Sequence, residues 1–138
     1  MKIVVSEKSG KSYSLEIDKE KEVFIYGKKI GDEIAGDDLG LAGYKLKITG
    51  GSDIAGFPMR YDIDGNRKVK VLMKKGPGLR LKGKGKSKKI HKGAKYKKTV
   101  RGNTIGEGIV AVNLVVSQPG PVPLEELLGK KKEEGENN

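Results

Sequence analysis

Apolar and polar residues alternate along much of the chain, and this alternation predicts β-strands. A period of two places one set of side chains on a buried face of a strand and the other set in solvent. Denser apolar runs indicate strands that are more completely buried. The alternating segments lie at 12–18, 44–49 and 68–74, and the denser runs lie at Ile3–Val5, Val23–Tyr26 and Ile109–Val116.

Turn signals separate these segments, whereas helix signals are weak. The pair Asp64-Gly65 predicts a tight hairpin turn. Helical turns are predicted only near 32–39 and at Pro123–Leu128, where an early proline and two acids precede a glycine. About six short strands without a long amphipathic helix predict an all-β fold, a small six-stranded antiparallel barrel-like domain. We expect this domain to span 1–118, and a short helical turn and a disordered charged tail to follow over 119–138.

The composition excludes several classes of protein. The chain has 138 residues, of which 35% are hydrophobic and 34% charged, so it has room for one modest core. It contains no cysteine, which excludes disulfides, thiolate metal sites and cysteine nucleophiles and favours a reducing cytosol. The longest apolar run, Ile109–Val116, is interrupted by Asn113 and is much shorter than a membrane-spanning helix. We therefore expect a soluble cytoplasmic protein with no membrane partner.

The positive charge is concentrated in one central segment. Between Arg67 and Arg101 sixteen residues are lysine or arginine, and none is acidic. Residues 1–65 carry ten basic and twelve acidic side chains, and residues 102–138 carry three and six. The whole net charge of +11 therefore comes from this segment. Because like charges repel one another, such a block is typical of a surface that binds a polyanion, and we expect that polyanion to be nucleic acid.

Residues 76–99 combine this charge with five glycines and few apolar side chains. The segment buries too little apolar surface to offset the entropy of ordering, so we predict a mobile loop that becomes ordered on a partner. Glycines let the backbone approach phosphates, lysines supply charge, and a tyrosine among lysines suits base stacking. The predicted RNA-binding residues are Lys74, Lys75, Arg80, Lys82, Lys84, Lys86, Lys88, Lys89, His91, Lys92, Lys95, Tyr96, Lys97, Lys98 and Arg101.

Three patterns in the chain resemble functional motifs but fail on their spacing or surroundings. Gly85-Lys86-Ser87 resembles the end of a phosphate-binding loop, but Arg80 stands where that loop needs a glycine. Asp62–Asn66 resembles the start of a calcium loop, but Met73 takes the place of the bidentate glutamate. His91 has no acid near it in sequence, so a phosphate contact is favoured over general-base catalysis. We predict no catalytic site, no metal and no cofactor.

A second candidate site is the glycine-rich segment that follows the strand predicted at 44–49. Residues 50–60 contain three glycines, a Phe-Pro-Met sequence and an arginine. Two interpretations stay open: either Phe57 and Met59 cap the barrel, or the segment contacts RNA or a neighbouring protein. The candidate contact residues are Gly50, Gly51, Asp53, Phe57, Pro58, Met59 and Arg60.

The same segment carries a resemblance to a known family. The sequence from Gly50-Gly51-Ser52-Asp53 to Gly56-Phe57-Pro58-Met59 is similar to the GG-[SN]-D-x-x-GFPM signature of the eukaryotic-type ribosomal protein six of the small subunit. Eukaryotic members continue as a long basic helical tail with phosphorylated serines, so this shorter chain resembles the archaeal form. Further matches follow in order over about 1–118, at Met1–Ile3, Gly43–Ile48, Val69–Gly76, Val100–Gly102 and Asn113–Val116.

The resemblance implies a structural, non-enzymatic protein of the small ribosomal subunit. Its implied partners are small-subunit ribosomal RNA and neighbouring ribosomal proteins, in the cytoplasm, with no small-molecule substrate. One alternative is an assembly or translation factor that binds the ribosome transiently with the same surface. Another is an RNA-modifying or hydrolytic enzyme, which the absence of cysteine and the single histidine disfavour.

Overall fold

A computed structural model describes residues 1–74, 76–79 and 93–128 of the chain. This part of the chain contains seven strands. The protein is mainly β, as the sequence predicts. A short helix, Lys19–Glu22 (α1), a 3₁₀ turn at Asp37–Leu39 and a helical turn at 124–128 connect or follow the strands. The strands are Lys2–Ser6 (β1), Ser12–Glu16 (β2), Glu33–Ala35 (β3), Lys45–Asp53 (β4), Lys68–Met73 (β5), Tyr96–Arg101 (β6) and Ile109–Gln118 (β7).

Five of these strands form one mixed sheet in the order β2-β1-β7-β4-β3. β1 is antiparallel to β2 but parallel to β7, so that Ile3 lies opposite Val112 and Val5 opposite Leu114. β4 is antiparallel to both β7 and β3. The sheet is open and does not close into a barrel. The prediction of a six-stranded barrel is therefore wrong in its strand count and its closure, and the predicted antiparallel direction fails only for the pair β1–β7. Alternation identifies a buried face of a strand but not its neighbours.

The remaining two strands, β5 and β6, form an antiparallel ribbon. It runs from Lys68 opposite Arg101 to Met73 opposite Tyr96. Tyr96, Lys97 and Lys98, which we predicted to lie in a mobile loop, are therefore on a strand. These three residues are extended because their backbone pairs with β5. Nothing in their own sequence indicates this pairing. Most of the predicted loop, residues 80–92, lies outside the described residues.

The dense apolar run at 23–26, predicted as a strand, is instead a turn that follows α1. The backbone N–H groups of Ile25 and Tyr26 both donate to the carbonyl oxygen of Glu22, at 3.0 and 3.2 Å. Ile25 is buried, whereas Val23 and Phe24 are 65% and 59% exposed. A short apolar run has no period of its own, so the sequence alone could not distinguish this turn from a strand.

One hydrophobic core collects alternate side chains of β1, β4 and β7. Residues from the connecting segments cover it, among them Ile25, Leu41 and Ile105. The helical turn predicted at Pro123–Leu128 is present at 124–128, and both Leu124 and Leu128 belong to the same core. The end of the described chain is thus packed against the sheet.

Leu124→Ala tests this packing. The side chain of Leu124 is completely buried, so its truncation should lower the free energy of unfolding by roughly 2–5 kcal/mol. The matched control is Glu126→Ala, an exposed position on the same turn, which should change it by less than about 0.5 kcal/mol. Urea denaturation of both variants is the measurement, and equal effects would contradict the packing of this turn.

Candidate nucleic-acid interface

The β5–β6 ribbon distributes its side chains over two faces. Residues that pair across antiparallel strands share a face, and successive residues alternate between faces. Lys97 and Lys98 therefore project to opposite sides of the ribbon. The first face carries Lys68, Lys70, Leu72, Lys97, Thr99 and Arg101, and the second carries Val69, Val71, Met73, Tyr96, Lys98 and Val100.

The predicted RNA-binding residues fall into three groups in the structure. Arg101 is mostly buried, with 12% of its side chain exposed. Lys74, Lys95, Tyr96, Lys97 and Lys98 are exposed on or beside the ribbon. Lys75, Arg80, Lys82, Lys84, Lys86, Lys88, Lys89, His91 and Lys92 lie outside the described residues.

The structure adds two cations that the sequence analysis did not single out. Lys68 and Lys70 are exposed on the first face of the ribbon, together with Lys97. Leu72 lies among them and is 56% exposed. The alternation of lysine with apolar residues in β5 was the available signal, because it predicts that the lysines share one solvent face.

Asp53 connects the large sheet to the ribbon. Its carboxylate is at the end of β4 and is completely buried. Oδ2 lies 3.2 Å from Arg101 Nε and 3.4 Å from Lys68 Nζ, and both of these cations belong to the ribbon. Oδ1 accepts a hydrogen bond of 2.8 Å from the N–H of Phe57. One acidic side chain therefore holds both ribbon strands and the following turn.

The environment of Asp53 favours its charged form. Burial raises the pKa of this carboxyl, but hydrogen bonds from the Phe57 N–H, Arg101 and Lys68 more than offset the effect, so the pKa lies below its ordinary value. Lys68 Nζ also lies 5.3 Å from the centroid of the Phe57 ring, a cation–π distance. The charge of Asp53 is thus compensated inside the protein.

The signature turn, which we define as residues 50–60, begins in the last part of β4 and folds back over that strand. The N–H of Met59 donates to the carbonyl oxygen of Gly51 at 2.9 Å, and Met59 is part of the hydrophobic core. A Cβ at Gly51 would lie 2.5 Å from the carbonyl oxygen of Ala111 and 3.0 Å from Met59 Sδ. Only glycine fits this approach of β4 to β7.

Arg60 fixes the segment 76–79 to the signature turn. It is 9% exposed, and its Nε and Nη2 each donate to the Asp62 carboxylate at 2.8 Å. Nη1 donates to the carbonyl oxygen of Pro77 at 3.0 Å. The paired guanidinium lowers the pKa of Asp62. Asp62 therefore belongs to an ion pair, and it does not begin a calcium loop.

The seven candidate contact residues of the signature turn separate by burial. Asp53, Met59 and Arg60 are buried and have partners within the protein. The pair Asp53–Arg101 spans 48 positions, and no local pattern relates the two residues. Arg60 and Asp62 are two positions apart, but their spacing alone does not indicate an ion pair. The four others, Gly50, Gly51, Phe57 and Pro58, are half-buried.

Within residues 1–74, 76–79 and 93–128 no three histidine, cysteine or acidic side chains are grouped as metal ligands would be. In the same part of the chain no helix has the length and apolar character needed to cross a membrane.

Comparisons with known proteins give a consistent result. The family model described as "Ribosomal protein S6e" matches residues 1–129. The chain is 49% identical over 124 residues to the small ribosomal subunit protein eS6 of Methanococcus maripaludis strain C6, which covers 89% of this chain and 91% of the relative. It is 44% identical over 132 residues to the protein of the same name from Methanothermobacter thermautotrophicus, covering 96% and 98% of the two chains. The corresponding protein of Nanoarchaeum equitans is 44% identical over 133 residues, with 96% and 92% covered.

Asp53→Asn tests the connection between the sheets. The amide keeps the acceptor for the Phe57 N–H but leaves Arg101 and Lys68 without their counter-charge. We expect the free energy of unfolding at pH 7 to fall by roughly 1.5–3 kcal/mol, the range for hydrogen bonds to charged groups.

The pH dependence of this loss follows from the lowered pKa of Asp53. A carboxyl with a lowered folded-state pKa stabilises the fold above its unfolded pKa, about 3.9, and loses this contribution as the pH falls through the folded value. The difference in the free energy of unfolding between the wild type and the variant should therefore become smaller below about pH 4. Denaturation curves between pH 2 and 7 check this, with the exposed Asp38→Asn as control. A difference that stays constant down to pH 2 would contradict the assigned role.

Proposed function

Because the chain belongs to the ribosomal protein S6e family, we propose that it is a structural constituent of the small ribosomal subunit that binds ribosomal RNA through its lysine- and glycine-rich segment. Family membership confirms the resemblance carried by the signature turn, and the relatives are archaeal. The family is structural, which rules out the enzyme alternative. The chain matches at least 91% of the length of each relative described above, which supports transferring the role of the whole protein.

The distribution of charge is the observation that carries RNA binding. Sixteen basic residues and no acid lie between Arg67 and Arg101, beside a body of nearly balanced charge. Lys97 and Lys98 extend this charge over both faces of the ribbon. Phosphates that approach such a surface release counterions, which favours binding without base readout. The buried Asp53, compensated by its own ion pairs, does not oppose this approach.

We propose neighbouring ribosomal proteins as the second class of partner. Val23 and Phe24 are exposed beside a cavity at the β3 edge of the sheet, which Ile34 and Leu39 also line. Exposed apolar groups of this kind suit a protein contact. The half-buried residues of the signature turn, Phe57 and Pro58 among them, are further candidate contacts. With these partners, we propose that the protein is located in the ribosome, in the cytoplasm.

A high-salt sucrose gradient distinguishes an integral ribosomal protein from a transient factor. We expect the protein to stay with the small subunit through a wash in roughly 0.5 M salt, because a factor held by surface charge alone is released as phosphate contacts are screened. Its appearance only in the soluble fraction would contradict the structural role and favour the assembly or translation factor.

Replacing five lysines of the loop by glutamine tests the basic segment itself. The changes are at Lys82, Lys84, Lys86, Lys88 and Lys89. RNA affinity at moderate salt should fall by orders of magnitude, and the slope of log K against log salt should flatten by up to about 3.5–4.5, at 0.7–0.9 for each of the five lost contacts. Filter-binding or fluorescence titrations at several salt concentrations give both quantities.

The control removes the same charge from the body. Five exposed lysines outside the basic segment, Lys2, Lys8, Lys19, Lys21 and Lys45, are changed to glutamine. We expect this variant to retain most of its affinity, because screening limits the reach of distant charges to about 10 Å at 0.1 M salt. The melting temperatures of both variants should stay close to that of the wild type. Equal losses of affinity would mean that total charge, and not the loop, determines binding.

A further inference from the structure

A groove lies where the signature turn meets the segment 76–79. It has a volume of about 680 Å³ and is lined by Gly56, Pro58, Gly76, Pro77, Gly78, Leu79 and Lys98. This size is within the range of roughly 300–1,000 Å³ that is typical of sites for small ligands. Two prolines, a leucine and glycine backbone make its walls flat and mostly apolar, and Lys98 supplies a cation.

The walls of this groove are held in place by contacts within the protein. The buried Arg60 donates to the carbonyl oxygen of Pro77 at 3.0 Å, and the N–H of Leu79 donates to that of Gly76 at 3.1 Å. Gly78 has a φ of 89°, and a Cβ there would lie 2.9 Å from Val100 and 3.1 Å from Pro58. Glycine is therefore required for segment 76–79 to lie directly on the signature turn, and the groove is formed before any ligand arrives.

The cation and an aromatic ring are on the same side of the ribbon. Tyr96 and Lys98 are two positions apart on β6, so their side chains share the second face. Tyr96 is 42% exposed. Lys97 points to the opposite face. This face of β6 therefore carries the charge of Lys98 at the groove and, two positions away, the ring of Tyr96, which is suited to stacking.

The chemistry of these groups selects the occupant. A base turned out of its stack is held between apolar or aromatic side chains, and a lysine suits its phosphate. A folded protein partner would need an interface of about 800 Å² on each side, far more than seven lining residues provide. The basic segment continues directly from Leu79 to Arg80 in the chain, so RNA bound by that segment passes near the groove.

We propose that this groove binds a single unpaired RNA nucleotide, with its base against Pro58, Pro77 and Leu79 and its phosphate at Lys98. This inference rests on the proposed RNA binding and adds a preference for a structural feature of the RNA. The lysine-rich loop supplies affinity for any phosphate backbone, whereas the groove recognises a nucleotide that is not paired.

The test compares two RNA hairpins of nearly equal length, one fully paired and one with a single bulged 4-thiouridine, titrated with the full chain at fixed salt. We expect the wild type to prefer the bulged hairpin by about tenfold, which is near the lower end of the effect of stacking one base on an aromatic side chain, because prolines and a leucine form the walls here. Lys98→Gln should remove most of the preference. The matched control, Lys97→Gln, loses the same charge on the opposite face and should weaken binding to both hairpins by the same factor. Irradiation should crosslink the 4-thiouridine to the residues that line the groove or to Tyr96.

The outcomes separate this inference from the function on which it rests. Equal affinity of the wild type for both hairpins, or crosslinks confined to other parts of the chain, would overturn the groove and leave RNA binding intact. Loss of the preference in both lysine variants would also overturn it, because charge alone would then explain the result. If the wild type bound neither hairpin, the groove and the proposed RNA binding would both be wrong.

Discussion

The buried carboxylate of Asp53 joins the two sheets of the protein through ion pairs, in addition to the backbone hydrogen bonds that Arg101 forms with Pro58 and Arg60. Burying a charged group is costly unless the group is paired with an opposite charge and its hydrogen bonds are satisfied. Here the opposite charges come from both strands of the ribbon, Lys68 on β5 and Arg101 on β6. The carboxylate also accepts the N–H of Phe57, which starts the return of the signature turn over β4. The position of the ribbon, and with it the start and end of the basic segment, therefore depends on an interaction in the interior.

This arrangement separates two kinds of charge. The acids of the signature region, Asp53 and Asp62, are neutralised by internal partners, and each has a lowered pKa. Lys70, Lys97 and Lys98 of the ribbon are exposed to solvent, on one face or the other, whereas Lys68 is paired with Asp53. A surface that must approach phosphates thus keeps its nearby acids paired, which preserves the positive field that attracts RNA. Arg60 contributes by binding both Asp62 and the backbone at Pro77.

Local pattern was informative where one face of a strand is buried. The alternation at 12–18, 44–49 and 68–74 and the dense runs at Ile3–Val5 and Ile109–Val116 all coincide with strands. The prediction failed at 23–26, where Ile25 and Tyr26 pack on the core but Val23 and Phe24 are exposed, and at Tyr96–Lys98, where a partner strand imposes the conformation. Closure and the direction of one strand pair were also wrong, because they depend on which strands pair, and β1 pairs in parallel with the distant β7.

The sequence alone determined the mainly β class, the concentration of charge between Arg67 and Arg101, and the family through the signature Gly50–Met59. These properties are carried by composition, short-range period and residue order, which need no knowledge of distant contacts. Only the tertiary structure decided that Asp53, Met59 and Arg60 of that signature face inward, and that Lys97 and Lys98 face opposite ways. It also formed the groove at Pro58 and Pro77. The physical reason is that burial and ion pairing join residues far apart in the chain, and no local pattern encodes such pairs.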